Sequence, residues 1–301
     1  MVYTLTCNPA IDYVVQLDGP LVGGAINRSH DEAYQFGGKG INVSNVLRAL
    51  GMPTTALGFV AGFTGQALEQ GLREMGLTTD FVALPTGQTR INVKVKADLE
   101  TEINGAGPHI SSEDMETLLK KLDSLTGADT LVLSGSVPSS LGTDTYARIL
   151  QRVAGKRVRT VVDAATGLLT QALPYRPFLI KPNRQELAQI FDAPMEEDAQ
   201  ILAAARQLQQ MGARNVLVSL AEAGALLLDE RGTAHRMDCP KGRVRNSVGA
   251  GDSMVAGFLA GFLETGDYGY GLKLGIAAGS ATAFSLGLAT AEEIHSLLER
   301  M

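Results

Sequence analysis

The sequence predicts an α/β protein with a mostly parallel central sheet and a small inserted β-sheet that would act as a lid. Apolar runs such as TLVLSGS, RTVVDA and NVLVSL, each with about five strand residues, alternate with helical patterns, which is typical of βαβ units. The segments TRINVKVKAD and ETEING break this rhythm because they alternate apolar and polar residues, as a hairpin exposed on one side does. Together with YVVQLDGP they predict a small separate sheet.

The domain organisation follows from where these exceptions fall. A chain of 301 residues accommodates one large core with an inserted smaller unit. We assign residues 1–10, 37–87 and 106–301 to the α/β core, and residues 11–36 and 88–105 to the lid. No internal repeat, low-complexity tract or linker is present in the sequence, so the lid is expected to be inserted rather than appended.

Composition restricts the partners and the compartment. A formal net charge of −6 disfavours nucleic acid and anionic membranes, because both require basic surfaces. The N-terminus does not resemble a secretory signal, and no apolar run approaches the roughly 18 residues of a membrane helix, so we expect a cytoplasmic protein. Cys7 and Cys239 are too few for a disulfide framework or a zinc site and are expected to be small packing residues.

The segment NSVGAGDSMVAGF carries the strongest indication of chemistry. Gly249, Ala250 and Gly251 precede an apolar helical pattern, and such a helix start exposes N–H groups that attract an anion. The carboxylate of Asp252 would compete with a bound phosphate unless it receives a proton beside a phosphoryl group. The alternative is that Asp252 is simply the helix N-cap, and the segment alone does not decide between the two.

A second glycine-rich turn, FGGKGINVSN, also precedes a helix. Gly38 permits close approach of the backbone, while Lys39 and Asn42 supply a cation and an amide for polyol or phosphate oxygens. Asp12, after the turn at Asn8-Pro9, is a carboxylate able to hold sugar hydroxyls. Glycine turns and turn carboxylates are common for structural reasons alone, so both interpretations remain open.

Three cations lie in or beside the predicted lid: Arg28, Lys39 and Arg90. Each alone would be a solvated charge. If the lid closes over one site, they would form the local positive cluster that a phosphorylated substrate needs in an acidic protein.

Polar residues follow three buried strands, which predicts one shared cleft because ligands bind beyond the carboxyl ends of parallel strands. The first group is Ser136 in LSGSVPSS, the second is Lys181, Asn183 and Glu186 in LIKPNRQEL, and the third is Ser219 to Gly224 in VSLAEAGALLL. Glu186 could equally complete a helix capping box with Asn183.

Several familiar motifs are absent from the sequence. No GxGxxG follows a strand and no GxxxxGK with Ser or Thr occurs, which disfavours a dehydrogenase or a P-loop enzyme. Neither HExxH nor a Cys/His cluster occurs, which disfavours a transition-metal centre.

In this order the segments resemble the ribokinase-like carbohydrate kinases of the PfkB family, over essentially the whole chain. The pair GGKGINVSNVLRALG and NSVGAGDSMVAGFLAG resembles the two defining patterns of the family, and CNPAID, INR, TRINVK, SGSVPSS and KPNRQEL resemble its phosphosugar branch. The resemblance implies a three-layer α/β/α core that binds ATP, a requirement for Mg²⁺, a possible monovalent cation such as K⁺, and a possible homodimer through the lid sheet.

The resemblance also implies roles. Asp252 would be the catalytic base, and Gly249, Ala250 and Gly251 the anion hole. The sugar would be held by Asp12, Gly38, Asn42 and Ser136, with its phosphate facing Arg28, Lys39 and Arg90. The nucleotide would be bound by Lys181, Asn183, Ser219, Leu220, Ala221, Glu222, Ala223, Gly224 and Ser280, with Glu186 organising Mg²⁺ through water.

The reaction implied is ATP-dependent phosphorylation of fructose 1-phosphate at O6. Phosphorylation of tagatose 6-phosphate and a non-catalytic sugar-phosphate-binding regulator on the same fold remain alternatives.

Overall fold

Two β-sheets and ten α-helices make up the fold, in a computed structural model that describes all 301 residues. The larger sheet contains β1 (Val2–Thr6), β4 (Thr54–Ala61), β5 (Thr78–Thr79), β6 (Val82–Leu84), β9 (Thr130–Ser134), β10 (Arg159–Asp163), β11 (Leu179–Ile180), β12 (Asn215–Ser219), β13 (Ala225–Leu228) and β14 (Ala234–Met237). The smaller sheet contains β2 (Ala10–Leu17), β3 (Ser29–Gly37), β7 (Arg90–Lys96) and β8 (Thr101–Asn104). The helices are α1 (Lys39–Ala49), α2 (Gly62–Glu74), α3 (Ser112–Lys121), α4 (Thr145–Val153), α5 (Thr166–Ala172), α6 (Arg184–Phe191), α7 (Asp198–Gln210), α8 (Ala250–Thr265), α9 (Tyr268–Phe284) and α10 (Ala291–Leu298). None of the helices is both long enough and apolar enough to cross a membrane.

The larger sheet is mostly parallel, as the alternation of strands and helices predicts. Its order is β14-β13-β12-β11-β10-β9-β1-β4-β5, with β6 paired to the end of β4. The only antiparallel pairs in this sheet are β12–β13 and β13–β14, so β13 alone runs against the other strands. The link between β12 and β13 is Leu220–Gly224, which is too short for the helical crossover that a parallel pair needs, so the chain turns back instead.

Two helical layers cover the larger sheet because consecutive strand residues point to opposite faces. Val161 packs in a cluster with residues of α1, α8, α9 and α10. Its neighbour Val162 packs in the other large cluster, with residues of α3, α4, α5, α6 and α7. The predicted three-layer α/β/α architecture is therefore confirmed.

The smaller sheet has one polar and one apolar face. Its strand order is β3-β2-β7-β8, in which β2 and β7 are parallel and both outer pairs are antiparallel. One cross-strand row is Gln35, Asp12, Asn92 and Asn104, and the next row, on the opposite face, is Tyr34, Tyr13, Val93 and Ile103. β7 and β8 lie within the segment 88–105 assigned to the lid, and β2 and β3 each extend one residue beyond the segment 11–36. The division of the chain into a core and a lid remains a proposal.

Candidate active site

The site lies at the carboxyl edge of the larger sheet, near the point where the chain order reverses. From β1 the chain continues to β4 on one side and later to β9 on the other, and such a switch point opens a crevice. Polar side chains line it: Ser134 ends β9 and is the register partner of Asp163 at the end of β10. Thr6 ends β1, and Lys181 follows β11 directly. Four neighbouring strands therefore end in a row of polar residues.

Asp163 is the most deeply buried acid of this row. Its residue is only 1% exposed, and neither carboxylate oxygen accepts a hydrogen bond. Two ammonium groups compensate its charge: Lys181 Nζ lies 3.3 Å and Lys39 Nζ 3.5 Å from Oδ1. Because a buried charge is strongly unfavourable unless paired, these two contacts hold the ammonium groups at the crevice. Asp163 is not among the site residues that the sequence predicts.

Helix α8 begins at this crevice. Its N-cap is Gly249, which has φ 81° in the left-handed region, and no side chain caps the helix. Asp252 is therefore the third residue of the helix, and its carboxylate serves another partner. The interpretation of Asp252 as an N-cap is wrong.

The backbone at the start of α8 presents free donors. The N–H of Ser253 makes the first intrahelical bond, to Gly249, and the N–H of Ala250 donates over 3.2 Å to the carbonyl of Ser247. The N–H groups of Gly249, Gly251 and Asp252 have no backbone acceptor, so among the predicted anion-hole residues only Ala250 donates within the protein. Lys181 lies beside these N–H groups. A Cβ atom placed on Gly251 would be only 3.2 Å from the ammonium nitrogen of Lys181. A helix terminus with free amides and a lysine favours an anion.

Helix α1 also begins at the crevice, and its start depends on glycine. Gly38 is the N-cap with φ 136°, and a Cβ there would lie 2.7 Å from Thr6 Cγ2. A Cβ on Gly40 would lie 2.6 Å from Thr6 Oγ1. Only glycine lets the helix approach β1 this closely. One turn further on, Asn42 Nδ2 donates to Asp252 Oδ2 over 2.8 Å, which joins the starts of α1 and α8.

The surroundings of Asp252 alter its acidity. The residue is 6% exposed, and burial, followed by the charge of Asp163, raises the pKa of Asp252 to about 6. The hydrogen bond from Asn42 and the charges of Lys39 and Lys181 act in the opposite direction and lower this pKa. A carboxylate with this pKa is ionised at neutral pH and is a stronger proton acceptor than an exposed aspartate.

The polar face of the smaller sheet adds a carboxylate. Asp12 accepts a hydrogen bond from Asn92 Nδ2 at 2.8 Å, and Lys94 Nζ lies 3.9 Å from its other oxygen. Arg90, on the same face, donates from Nε to the carbonyl of Asn8 at 3.1 Å. Burial lowers the pKa of Arg90, an effect that the charge of Asp12 opposes.

The three predicted cations have separate environments. Arg90 lies by Asn8 on the smaller sheet, whereas Lys39 pairs with Asp163 at the crevice. Arg28 is exposed in the segment between β2 and β3. Of the three, only Lys39 forms an ion pair with a carboxylate of the larger sheet. Ser136 is exposed in the segment after β9, next to Gly135, which packs near Lys39.

The predicted capping box at α6 is present. Asn183 Oδ1 accepts from the N–H of Glu186, and Glu186 Oε2 accepts from the N–H of Asn183, both at 2.8 Å. Glu186 Oε1 has no hydrogen-bond partner, so one oxygen stays available to a ligand. Asn183 also pairs with Ser219 as an isolated bridge, which brings the ends of β11 and β12 together.

Beyond β12, the predicted nucleotide segment forms a tight turn. Ala221 and Gly224 have φ values of 51° and 90°, and Leu220 closes the turn by donating to the carbonyl of Gly224. Glu222 is exposed and Ala223 half-buried.

Ser280 of α9 reaches this turn through a cysteine. Its hydroxyl donates to Cys239 Sγ over 3.5 Å, and that sulfur lies 3.4 Å from the carbonyl of Ala221. Cys239 is half-buried between the two predicted nucleotide segments, while Cys7 is the buried packing residue that the sequence predicts.

No group of three or more His, Cys, Asp or Glu side chains is arranged to hold a metal ion by itself. A divalent ion at this site would therefore need oxygens from a ligand in addition to the protein. The oxygen of Glu186 that the capping box leaves free is the protein oxygen that such an ion would approach.

A parallel sheet whose carboxyl edge holds a buried carboxylate, two lysines and two helix N-termini is an arrangement that suits phosphoryl transfer. Comparison with known proteins agrees. The chain matches the pfkB family carbohydrate kinases over residues 1–294 and belongs to that family. As the resemblance to its phosphosugar branch implies, it is a sugar-phosphate kinase.

The relatives are similar over their full length. The chain is 44% identical to the 1-phosphofructokinase of Bacillus subtilis, covering 99% of this chain and 97% of the relative. It is 38% identical to the D-tagatose-1-phosphate kinase of Bacillus licheniformis, covering 96% of this chain and 94% of the relative. A solved structure of phosphofructokinase-2 from Escherichia coli in complex with potassium superposes with a TM-score of 0.93 at 25% identity, covering 99% and 98%.

Proposed function

We propose that the protein transfers the γ-phosphoryl group of ATP to O6 of fructose 1-phosphate, which yields fructose 1,6-bisphosphate and ADP. The observation that carries this proposal is the buried Asp252 at the start of α8, held by Asn42 and flanked by free backbone amides. The choice of fructose 1-phosphate is supported by the relative at 44% identity, which is named 1-phosphofructokinase.

In the proposed reaction Asp252 accepts the proton of the C6 hydroxyl. A pKa of about 6 leaves the carboxylate ionised at neutral pH and close to the value that favours a general base. The hydrogen bond from Asn42 fixes Oδ2, so Oδ1 is the oxygen free to take the proton. The deprotonated O6 then attacks the phosphoryl group in line.

The start of α8 would stabilise the charge on the transferring phosphoryl group. The free N–H groups of Gly249, Gly251 and Asp252 lie at this terminus, and the ammonium of Lys181 lies beside Gly251. Lys39, whose pKa is raised mainly by the charge of Asp163 and further by those of Asp252 and Glu186, belongs to the same centre. We therefore assign Lys39 to the transferring phosphoryl group rather than to the phosphate that the sugar already carries.

Mg²⁺ would be held between the ATP phosphates and the protein, with Glu186 acting through water. The free Oε1 of Glu186 fits this role because the capping box leaves one oxygen available while fixing the side chain. When bound, Mg²⁺ neutralises phosphate charge. A monovalent cation such as K⁺ is part of the proposal because a structure of the E. coli phosphofructokinase-2 holds potassium.

The sugar would lie against the polar face of the smaller sheet. Asp12, fixed by Asn92, is placed to accept hydrogen bonds from sugar hydroxyls, and Arg90 and Arg28 would face the existing phosphate. Closure of this sheet over the site would exclude water, which otherwise competes with O6 as acceptor.

A second candidate substrate is tagatose 1-phosphate, favoured by the D-tagatose-1-phosphate kinase at 38% identity. The test compares kcat/KM on the purified protein for four sugars: fructose 1-phosphate, tagatose 1-phosphate, fructose 6-phosphate and tagatose 6-phosphate. We expect fructose 1-phosphate to give the highest value. A preference for either tagatose phosphate would overturn the choice of sugar, and absence of ADP release with all four would favour a non-catalytic regulator.

We also propose a homodimer that pairs the apolar faces of two smaller sheets. Tyr13 and Tyr34 stack there at a centroid distance of 5.0 Å, and Tyr34 and Ile103 are 68% and 62% exposed. An exposed apolar face of this kind favours a protein partner. The variant Ile103→Asp should shift sedimentation toward the monomer, whereas Leu286→Asp, at an exposed leucine outside this sheet, should not.

A further inference from the structure

A pocket rich in arginine lies at the opposite edge of the larger sheet, where β10, β11 and β12 begin. Its volume is about 160 Å³, and we name it the arginine pocket after Arg157, Arg176 and Arg214 in its lining. Tyr175 and Phe178 supply aromatic surface to the same lining. This volume is well above the roughly 10–15 Å³ that one water needs, and it is enough for a phosphate group with a short carbon tail.

Most of the positive charge at the arginine pocket lacks a carboxylate partner. Four arginines of the protein form ion pairs with carboxylates: Arg73, Arg152, Arg214 and Arg236. Of the lining residues, only Arg214 is among them, through Glu230 at 2.6 Å. Arg157 and Arg176 are exposed, so their charges are solvated rather than paired in a protein whose net charge is −6.

A further arginine strengthens the field behind the lining. Arg159 and Arg214 both lie over the ring of Phe178, with guanidinium carbons 5.2 and 5.3 Å from its centroid. Burial, followed by the positive charge of Arg214, lowers the pKa of Arg159. Two like charges at one ring repel each other, and an anion placed between them and the solvent would relieve that repulsion.

The backbone at the arginine pocket is also unusual. Four residues other than glycine have positive φ in this protein: Arg157, Arg176, Asp192 and Ala221. Two of the four are the unpaired arginines of one pocket, with φ values of 59° and 54°. Arg176 is the left-handed C-cap of the short helical turn Leu173–Tyr175, and Arg157 lies in the turn after α4, so two tight turns carry these arginines to the pocket.

We propose that the arginine pocket is a second anion site, separate from the active site, that binds the phosphate group of a small phosphorylated metabolite. Arg157 and Arg176 donate to the phosphate oxygens from two sides, because guanidinium groups bind phosphate through paired N–H donors. The apolar lining, including Leu150 and Val153, accommodates the carbon tail.

The test measures the thermal unfolding midpoint with and without inorganic phosphate, at constant ionic strength, for three proteins. These are the wild type, the variant Arg157→Gln/Arg176→Gln, and the control Arg206→Gln/Arg300→Gln, which removes the same charge from exposed, unpaired positions. Phosphate bound at the active site raises the midpoint equally in all three, so it cancels in the comparison. We expect the rise in the wild type and the control to be at least twice that of the pocket variant.

Equal rises in all three proteins would overturn the proposal. A second variant, Arg157→Gly/Arg176→Gly, guards against a folding defect, because glycine is unstrained at both φ values. This glycine variant should fold, and phosphate should raise its unfolding midpoint by no more than it raises that of the variant Arg157→Gln/Arg176→Gln. Retention of the full response by this glycine variant would also overturn the proposal.

A parallel titration with glycerol 3-phosphate distinguishes the two sources of a phosphate group. If glycerol 3-phosphate raises the unfolding midpoint of the wild type at a lower concentration than inorganic phosphate does, and does not do so in the variant Arg157→Gln/Arg176→Gln, the ligand is a phosphorylated metabolite. A stronger response to inorganic phosphate would overturn the assignment to a metabolite.

Discussion

Asn42 Nδ2 and Asp252 Oδ2 lie 2.8 Å apart although 210 positions separate the two residues in sequence. The hydrogen bond joins the two glycine-rich motifs and fixes the orientation of the candidate base. It also stabilises the ionised form of Asp252, which burial and the charge of Asp163 disfavour.

The variant Asp252→Asn should lose kcat by a factor of about 10² to 10⁴, the range that a general base contributes. Asparagine retains the size of the side chain but cannot accept the proton. Steady-state ADP release measures kcat, and calorimetric titration of an unreactive ATP analogue should give an unchanged Kd. Near-normal turnover would refute the role of Asp252.

The same substitution should stabilise the fold at pH 7. Because the pKa of Asp252 is raised from 3.8 to about 6, its ionisation disfavours the folded state as pH rises through that window. Removing the charge should raise the free energy of unfolding by up to about 3 kcal/mol at pH 7 and by little near pH 4. Denaturant unfolding at both pH values checks this, and a gain that grows toward low pH would contradict it.

The acid limb of the kcat/KM profile should report Asp252. Activity should fall as pH drops below about 6, where the carboxylate becomes protonated. In Asn42→Ala the limb should move to higher pH, because a donor that lowers the pKa of Asp252 is lost. A limb that stays in place in this variant would show that the hydrogen bond does not tune the base.

The variant Asp163→Asn should move the acid limb of the kcat/KM profile to lower pH, because the negative charge of Asp163 raises the pKa of Asp252. It should also destabilise the fold by about 3 kcal/mol, since Lys181 keeps a buried charge without its partner. The pH profile separates this charge effect from a simple structural defect, which would lower activity at every pH.

The variant Arg90→Ala should raise KM for the phosphosugar at least tenfold and leave KM for ATP nearly unchanged. Arg90 lies on the smaller sheet beside Asn8, whereas the predicted nucleotide segments at Lys181 and Ser219 lie at the ends of β11 and β12 in the larger sheet. Arg28, which is exposed, provides the comparison. If the smaller sheet closes over the sugar, Arg28→Ala should also raise KM for the phosphosugar. Equal changes in both KM values for Arg90→Ala would count against its role.

Much of the fold could be predicted from sequence because periodicity reflects burial directly. The runs TLVLS and RTVVD became β9 and β10, and the alternating segments became the smaller sheet. The reversal at β13 could not be read from apolar runs, since a buried antiparallel strand has the same composition as a parallel one.

The candidate site was harder to predict than the fold. Local sequence could not tell whether Asp252 was a cap or an interior residue, because helix starts are uncertain by one or two positions. Asp163 ended a strand like any turn residue, and its importance depends on Lys39 and Lys181 from other parts of the chain. Contacts between distant segments decide such roles, and only their burial and distances reveal them.

The two-faced smaller sheet has a consequence for insertions and deletions. Asp12 and Tyr13 are adjacent but belong to opposite faces, so removing one residue from β2 before them would exchange the polar and apolar rows. The segment at residues 18–28 is almost entirely exposed and changes in its length would alter neither row. We therefore expect natural length variation among relatives to accumulate in that segment, while the eight residues of β2 keep a fixed length.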